Sequence, residues 1–345
     1  MIKEWNLLRV VACLSIVLLH STTQTAAVVG LPEIENYDLY RILLVYATPT
    51  FIVLSMVILS NRYPDRLPDN FWMSRFQFIL FPYLAFGIID GLVGKYFNPN
   101  LSLSHRIIDN IFTGSFVGWF IIVIFQFYAL HYLVTRFKLS MTWMFPVSLA
   151  VMIWYLTLIN GEYTLHPDYD HVLKLPFLAW FGYFTAAFII GKHYKVIAEK
   201  LYKHRWVTLL YVGLSVYILY LSYMQGNTAI HSRRIDIIPL VLSISTAVLA
   251  WGQAIPKFKI ITLLNNYAFG IYLVHWPVQR FLAPYTAAYF QQTSTRVLAL
   301  FFVTLIITVM IIKLISMLPL GQFIVGKVKK NSAVDRRMRS IEQSA

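Results

Sequence analysis

Charge is scarce in this 345-residue chain. Asp, Glu, Lys and Arg together make up 13% of it, about half of what a soluble domain carries. With 58% hydrophobic residues and a mean hydropathy of +0.63, a water-soluble globule is excluded. Cysteine is scarcer still. Cys13 stands alone and lies inside an apolar run, which rules out a disulfide framework and a cysteine metal site. No Gly-rich phosphate loop and no Gly-x-Ser-x-Gly elbow occurs, so neither of those nucleotide or nucleophile motifs is encoded. No internal repeat like those of many secondary transporters is visible. Long polar connections are missing too, which leaves no room for an appended soluble domain.

What is present is a series of apolar runs long enough to cross a bilayer. They fall near 6–25, 38–60, 75–97, 112–135, 141–160, 176–194, 206–224, 235–254, 261–283 and 296–318. The fold class is therefore all-α, a polytopic membrane protein of about ten transmembrane helices. Aromatic residues reach 16%, which suits belts at two membrane interfaces. The net charge of +14 is one-sided. If the N-terminus is cytoplasmic, Lys3, Arg62, Arg66, Arg136, Lys138, the cluster from Lys192 to Arg205, Lys257, Lys259 and the C-terminal basic residues all fall inside. The positive-inside rule thus predicts both termini in the cytoplasm. Such a distribution faces lipid headgroups and calls for no nucleic acid. The chain divides into a transmembrane domain over 1–320 and a basic cytoplasmic tail over 321–345, solvated against anionic lipid. The first run has the apolar length of a signal peptide, with Thr25-Ala26-Ala27 small enough for cleavage. Its charges fit a retained helix better.

Those charges are Arg9 and His20, with ten residues between them. Eleven steps of about 100° end roughly 20° past three full turns, so both side chains share one face. They lie about 16 Å apart along the helix axis. Ionisable groups inside a span are costly and point to function. The alternative is an arginine snorkelling to headgroups and a histidine satisfied by a neighbouring helix. The ninth run carries a second intramembrane histidine, in Asn265-Asn266-Tyr-Ala-Phe-Gly-Ile-Tyr-Leu-Val-His275. The third run opens at Arg75, contains Pro82-Tyr83 and reaches Asp90. His20, His275 and Asp90 come out at similar depth on helices running the same way, roughly 20 Å from the cytoplasmic edge.

An imidazole can take a proton from a hydroxyl, as a general base in acyl transfer must. A carboxylate, here Asp90, can orient that base. Arg9 and Arg75 at the cytoplasmic mouth suit the phosphates of an acyl carrier such as coenzyme A. Each has a plainer reading. His275 before Trp276-Pro277 suits a helix-end histidine bonded to a carbonyl, Asp90 suits a solvated helix end, and Arg75 suits an ordinary interfacial basic residue. His166 and His171 near Asp168 and Asp170 read as a polar outer loop rather than a metal site.

At these residues the chain resembles the acyltransferase 3 family of bacterial membrane O-acyltransferases. The resemblance covers roughly 5–320 and rests on Arg9 and His20 in the first helix, Arg75 with Pro82-Tyr83 in the third, Gly118-Trp119-Phe120 in the fourth, and Tyr272-Leu273-Val274-His275 in a late helix. Within the family it is most similar to the poly-N-acetylglucosamine succinyltransferase branch of intercellular adhesion. The resemblance implies a multi-pass cell-membrane enzyme that moves an acetyl or succinyl group from cytoplasmic acyl-CoA to a hydroxyl of a cell-envelope or exported glycan, without a metal. It implies His20 as the essential group, as base or acyl relay. Arg9 would hold the donor, Arg75 would assist at its phosphates, and His275 would line the acceptor side. Some members hand the acyl group to a fused extracytoplasmic domain. This chain is expected to act directly or with a polysaccharide synthase or a separate extracytoplasmic transferase. The rival expectation is an exporter or flippase of a polysaccharide or lipid-linked sugar.

Overall fold

A computed structural model describes residues 2–161 and 170–328. All ten apolar runs lie on helices, and no strand occurs among the described residues. The first part of the chain forms α1 (Lys3–Val29), α2 (Tyr37–Ile42), α3 (Ala47–Arg62), α4 (Phe71–Arg75), α5 (Phe81–Phe97), α6 (Leu103–Ile108), α7 (Phe120–Arg136) and α8 (Met141–Asn160). The second part forms α9 (Asp170–Leu173), α10 (Phe181–Lys192), α11 (Tyr194–Lys203), α12 (Arg205–Met224), α13 (Ile238–Trp251), α14 (Lys259–Tyr289), α15 (Thr293–Met317) and α16 (Gln322–Val325). Among the described residues, seven helical segments are long and apolar enough to cross a membrane by themselves.

Several of the predicted spans depart from a plain helix; three of them bear on the site. The second breaks between α2 and α3. The third passes through a π-helical turn, Phe76–Leu80, directly after Arg75. The fourth is read from sequence as one helix over 112–135, yet it breaks after a second π-helical turn, Asp109–Thr113. Gly114 turns with φ +59, a conformation that suits a residue without Cβ. A broken span must have its freed carbonyls satisfied from within the protein. The Tyr83 hydroxyl sits 2.7 Å from the Asn110 carbonyl and 2.8 Å from that of Ile111. The Tyr272 hydroxyl donates to the Val117 carbonyl. Two of the tyrosines singled out in the sequence thus hold the break in place.

Close helix packing comes from small residues, as expected where lipid provides no hydrophobic drive. A Cβ on Gly191 of α10 would stand 2.4 Å from the Val57 carbonyl of α3. The most extensive helix pairing is that of α1 with α14. The helix α14 is 31 residues long, but it is not among the seven apolar spans. Asn265, Asn266, His275 and Gln279 lower its hydropathy, and three of these four face α1. After α15 the chain folds back: Phe323 of α16 stacks on Phe78 of the first π turn, with centroids 5.7 Å apart. The predicted tail therefore begins with a packed segment. Residues from 329 onward lie outside the described residues, as do His166 and Asp168 of the outer loop.

Candidate active site

The two helices run parallel, and a ladder of polar contacts crosses their seam. At the basic end, which the charge pattern assigns to the cytoplasm, Lys3 Nζ donates to the Ile255 carbonyl at 3.0 Å, just before α14 begins. Next, Arg9 Nη1 donates to Asn265 Oδ1 at 2.7 Å. The Cys13 thiol faces the Ala268 carbonyl. Beyond them His20 Nδ1 lies 2.8 Å from His275 Nε2. Gln279 Nε2 closes the ladder on the Val17 carbonyl at 2.9 Å and Ser21 Oγ at 2.8 Å. Arg9, Cys13, Ile16 and His20 follow the 4-3-4 spacing of one helix face, and Asn265, Ala268, Tyr272, His275 and Gln279 follow a 3-4-3-4 spacing on α14.

The histidine pair has a defined proton arrangement. His275 Nδ1 lies 2.9 Å from the Ile271 carbonyl. A carbonyl only accepts, so that nitrogen carries the hydrogen. In the neutral ring Nε2 is then bare and accepts from His20 Nδ1–H. His20 is left with a lone pair on Nε2, the nitrogen a general base uses. The rings are nearly coplanar, at 4°, with centroids 5.1 Å apart. That separation exceeds the N–N distance by about one ring width, so the bond runs head-on in the common plane. His275 is fully enclosed. His20 is only half-buried, and no hydrogen bond occupies its Nε2. The Trp276 ring stands edge-on to it, centroids 5.0 Å apart.

The structure thus unites Arg9, His20 and His275 and separates Asp90 from them. Asp90 is buried, and its Oδ2 accepts from Arg106 at 3.1 Å and from Asn110 at 3.0 Å. These partners reach it because α6 and the π turn after it fold back against α5. The residue that orients His20 is a second histidine and not this carboxylate. His275 stands behind His20, enclosed, rather than on a surface an acceptor could touch. Arg75 has its guanidinium over the rings of Phe71 and Tyr128, 4.8 and 5.5 Å from their centroids, and its buried Nε has no hydrogen-bond partner. The aromatic faces hold the charge by cation–π attraction and leave its N–H groups free. The sequence reading gave no role to Asn265 or Gln279. Their spacing from His275 was the available signal.

A family model for an acyltransferase domain matches residues 2–313. The chain belongs to that acyltransferase family. Among curated relatives, "Putative membrane-bound acyltransferase YfiQ" of Bacillus subtilis is 32% identical over 293 residues, covering 79% of this chain and 80% of its own. "Probable poly-beta-1,6-N-acetyl-D-glucosamine export protein" of Staphylococcus aureus is 22% identical over 297 residues, 81% of this chain and 83% of its own. The Staphylococcus epidermidis protein of the same name is 24% identical over 236 residues, 62% of each chain. No solved structure matches significantly. The acyltransferase is a multi-pass membrane protein, and the ladder between α1 and α14 lies wholly within the matched residues.

Proposed function

We propose that the protein is a cell-membrane O-acyltransferase that takes an acetyl or succinyl group from cytoplasmic acyl-CoA and delivers it to a hydroxyl of a cell-envelope or exported glycan. The observation that carries this reading is the aimed lone pair of His20 Nε2, fixed by His275 and the Ile271 carbonyl, about 16 Å along the same helix from Arg9. An acceptor hydroxyl gives its proton to Nε2 as its oxygen attacks the thioester carbonyl. The C–S bond breaks, and the thiolate takes the proton back from Nε2. His275 supports the imidazolium that forms in between. Arg9 and the free N–H groups of Arg75 supply positive charge for the donor's phosphates at the inner side.

The test is thioester hydrolysis by the purified protein in nanodiscs, with acetyl-CoA and succinyl-CoA as donors and His20→Ala beside the wild type. Thiol release by the wild type and not by the variant is expected, and the preferred donor names the group. A second reading, export of a polysaccharide, draws on the names of the staphylococcal relatives. Failure of labelled acyl-CoA to bind would favour it over acyl transfer.

A further inference from the structure

The basic end of the α1–α14 seam opens into a cavity of about 190 Å³ that shares the first rung of the ladder, Lys3 and Ile255. Its walls include Lys3 and Asn6 of α1, Pro256 and Lys257 of the approach to α14, and Phe258 and Thr262 at the start of α14. Phe258 gives that helix no side-chain cap. The first N–H groups of a 31-residue helix are therefore left without intrahelical partners at the cavity, and its positive dipole end points there. Lys3 is held at the rim by its bond to the Ile255 carbonyl. Lys257 is exposed and unpaired. The amide oxygen of Asn6 is shielded with no partner, so its amide is free to turn N–H₂ groups to an anion. Among the described residues no carboxylate lines the space, since Glu4 is turned away to the Tyr194 hydroxyl at 2.9 Å. The packing that directs Glu4 away is tight, because a Cβ on Gly252 would stand 2.8 Å from Glu4 Cβ.

Two ammonium groups, an unpaired amide and an uncapped helix start, with no opposing acid, form a receptor for phosphate. We propose that this cavity binds the phosphorylated nucleotide end of the acyl donor. The site rests on the acyl-CoA reading above and adds to it the place where the donor is anchored. From the cavity, Arg9 is the next charged rung along α1 and His20 lies further along the same face, so a thioester arm laid along the seam runs from anchor to base. This divides the labour at the donor. The cavity takes the outermost phosphate, while Arg9 meets the donor deeper, where its own partner is the neutral Asn265 and its charge is not cancelled.

The test measures binding of coenzyme A to the full-length protein in nanodiscs of zwitterionic lipid, for wild type, Lys257→Glu and Lys3→Gln. Lys257 lies on the surface, so its variant leaves the packing intact. The dissociation constant is expected to rise about tenfold or more in Lys257→Glu, the scale of one charge-assisted hydrogen bond. A second readout is the preference for acyl-CoA over a truncated acyl thioester on N-acetylcysteamine, as a ratio of kcat/KM. That ratio should fall by a similar factor, because only the full donor carries a phosphate. Unchanged affinity and an unchanged ratio in both variants would overturn the site while leaving the donor reading standing. This is also the result if the cavity seats a lipid phosphate instead. Absence of coenzyme A binding by the wild type would overturn the donor reading, and this site with it.

Discussion

Leucine at position 275 removes one hydrogen-bond acceptor from the centre of the seam while keeping an apolar body of similar bulk. In the wild type, His275 Nε2 accepts from His20 Nδ1 and so fixes which nitrogen of His20 is bare. In His275→Leu the two tautomers of His20 become nearly equal in energy, and half of the molecules present an N–H where a lone pair is needed. That alone costs about twofold. The larger loss comes when His20 becomes positive during proton transfer. A hydrogen bond to a charged group contributes about 1.5–3 kcal/mol, so a transition state without it slows by about 10–150-fold. His20→Ala removes the base itself, a loss of about 10²–10⁴-fold. The informative third variant is His275→Gln, whose side-chain oxygen reaches about as far from the backbone as Nε2 and can accept from His20. It should recover much of what leucine loses. The assay is turnover of the preferred acyl-CoA, run beside thermal unfolding in detergent. A leucine variant that folds and turns over at the wild-type rate would refute the pairing as a catalytic device. Equal loss in leucine and glutamine variants would show that the ring matters for packing and not for its acceptor.

Three further outcomes follow from contacts described above. Asn265→Asp places a carboxylate against Arg9 and neutralises it, so KM for the donor should rise by about 10-fold or more while kcat changes less; steady-state kinetics over a range of donor concentrations reads the split. Tyr83→Phe removes the hydroxyl that serves the Asn110 and Ile111 carbonyls, leaving buried acceptors unpaired at about 1–3 kcal/mol; a lower melting temperature in detergent checks it. Asp90→Asn withdraws the negative charge facing Arg106, and the expected effect is lost stability of about 1–3 kcal/mol rather than lost chemistry, so the fraction that remains folded should retain turnover per molecule. A loss of turnover without a loss of stability would return Asp90 to the catalytic group.

Much of this could be read from the chain because it is written in helical periodicity. Apolar length marks the ten helical segments, and the eleven-step spacing of Arg9 and His20 puts them on one face. Equal depth makes a meeting of His20 and His275 geometrically allowed, and the structure makes it a bond of 2.8 Å. The plainer reading of His275, a helix-end histidine bonded to a carbonyl, holds in part: its Nδ1 makes that bond, but the residue lies in the interior of α14 and not at a helix end. It is this bond that fixes the other nitrogen for His20. Depth was misleading for Asp90. Similar height on a parallel helix says nothing about which way a side chain points, and the π turn at 109–113 brings Asn110 to it, with Arg106 from the preceding α6. The break in the fourth span was hidden because its residues are as apolar as a helix requires. Only Gly114 marks it, and the tyrosines that satisfy it lie far off in sequence. The aromatic seat of Arg75 was beyond reach for the same reason, since Tyr128 comes from another helix.

The two histidines are 255 positions apart, and that separation has a consequence for how the protein is made. During synthesis α1 enters the bilayer before α14 exists, with α2 to α13 made in between. Until then Arg9 and His20 have none of the partners that the ladder supplies, although a charge at that depth is costly to leave alone. The growing chain must shelter them against water or provisional neighbours. The ladder is therefore completed late, when α14 packs beside α1. A ribosome stalled before residue 259 would leave a chain without the His20–His275 pair, and under the proposed acyl transfer such a chain should turn over no thioester.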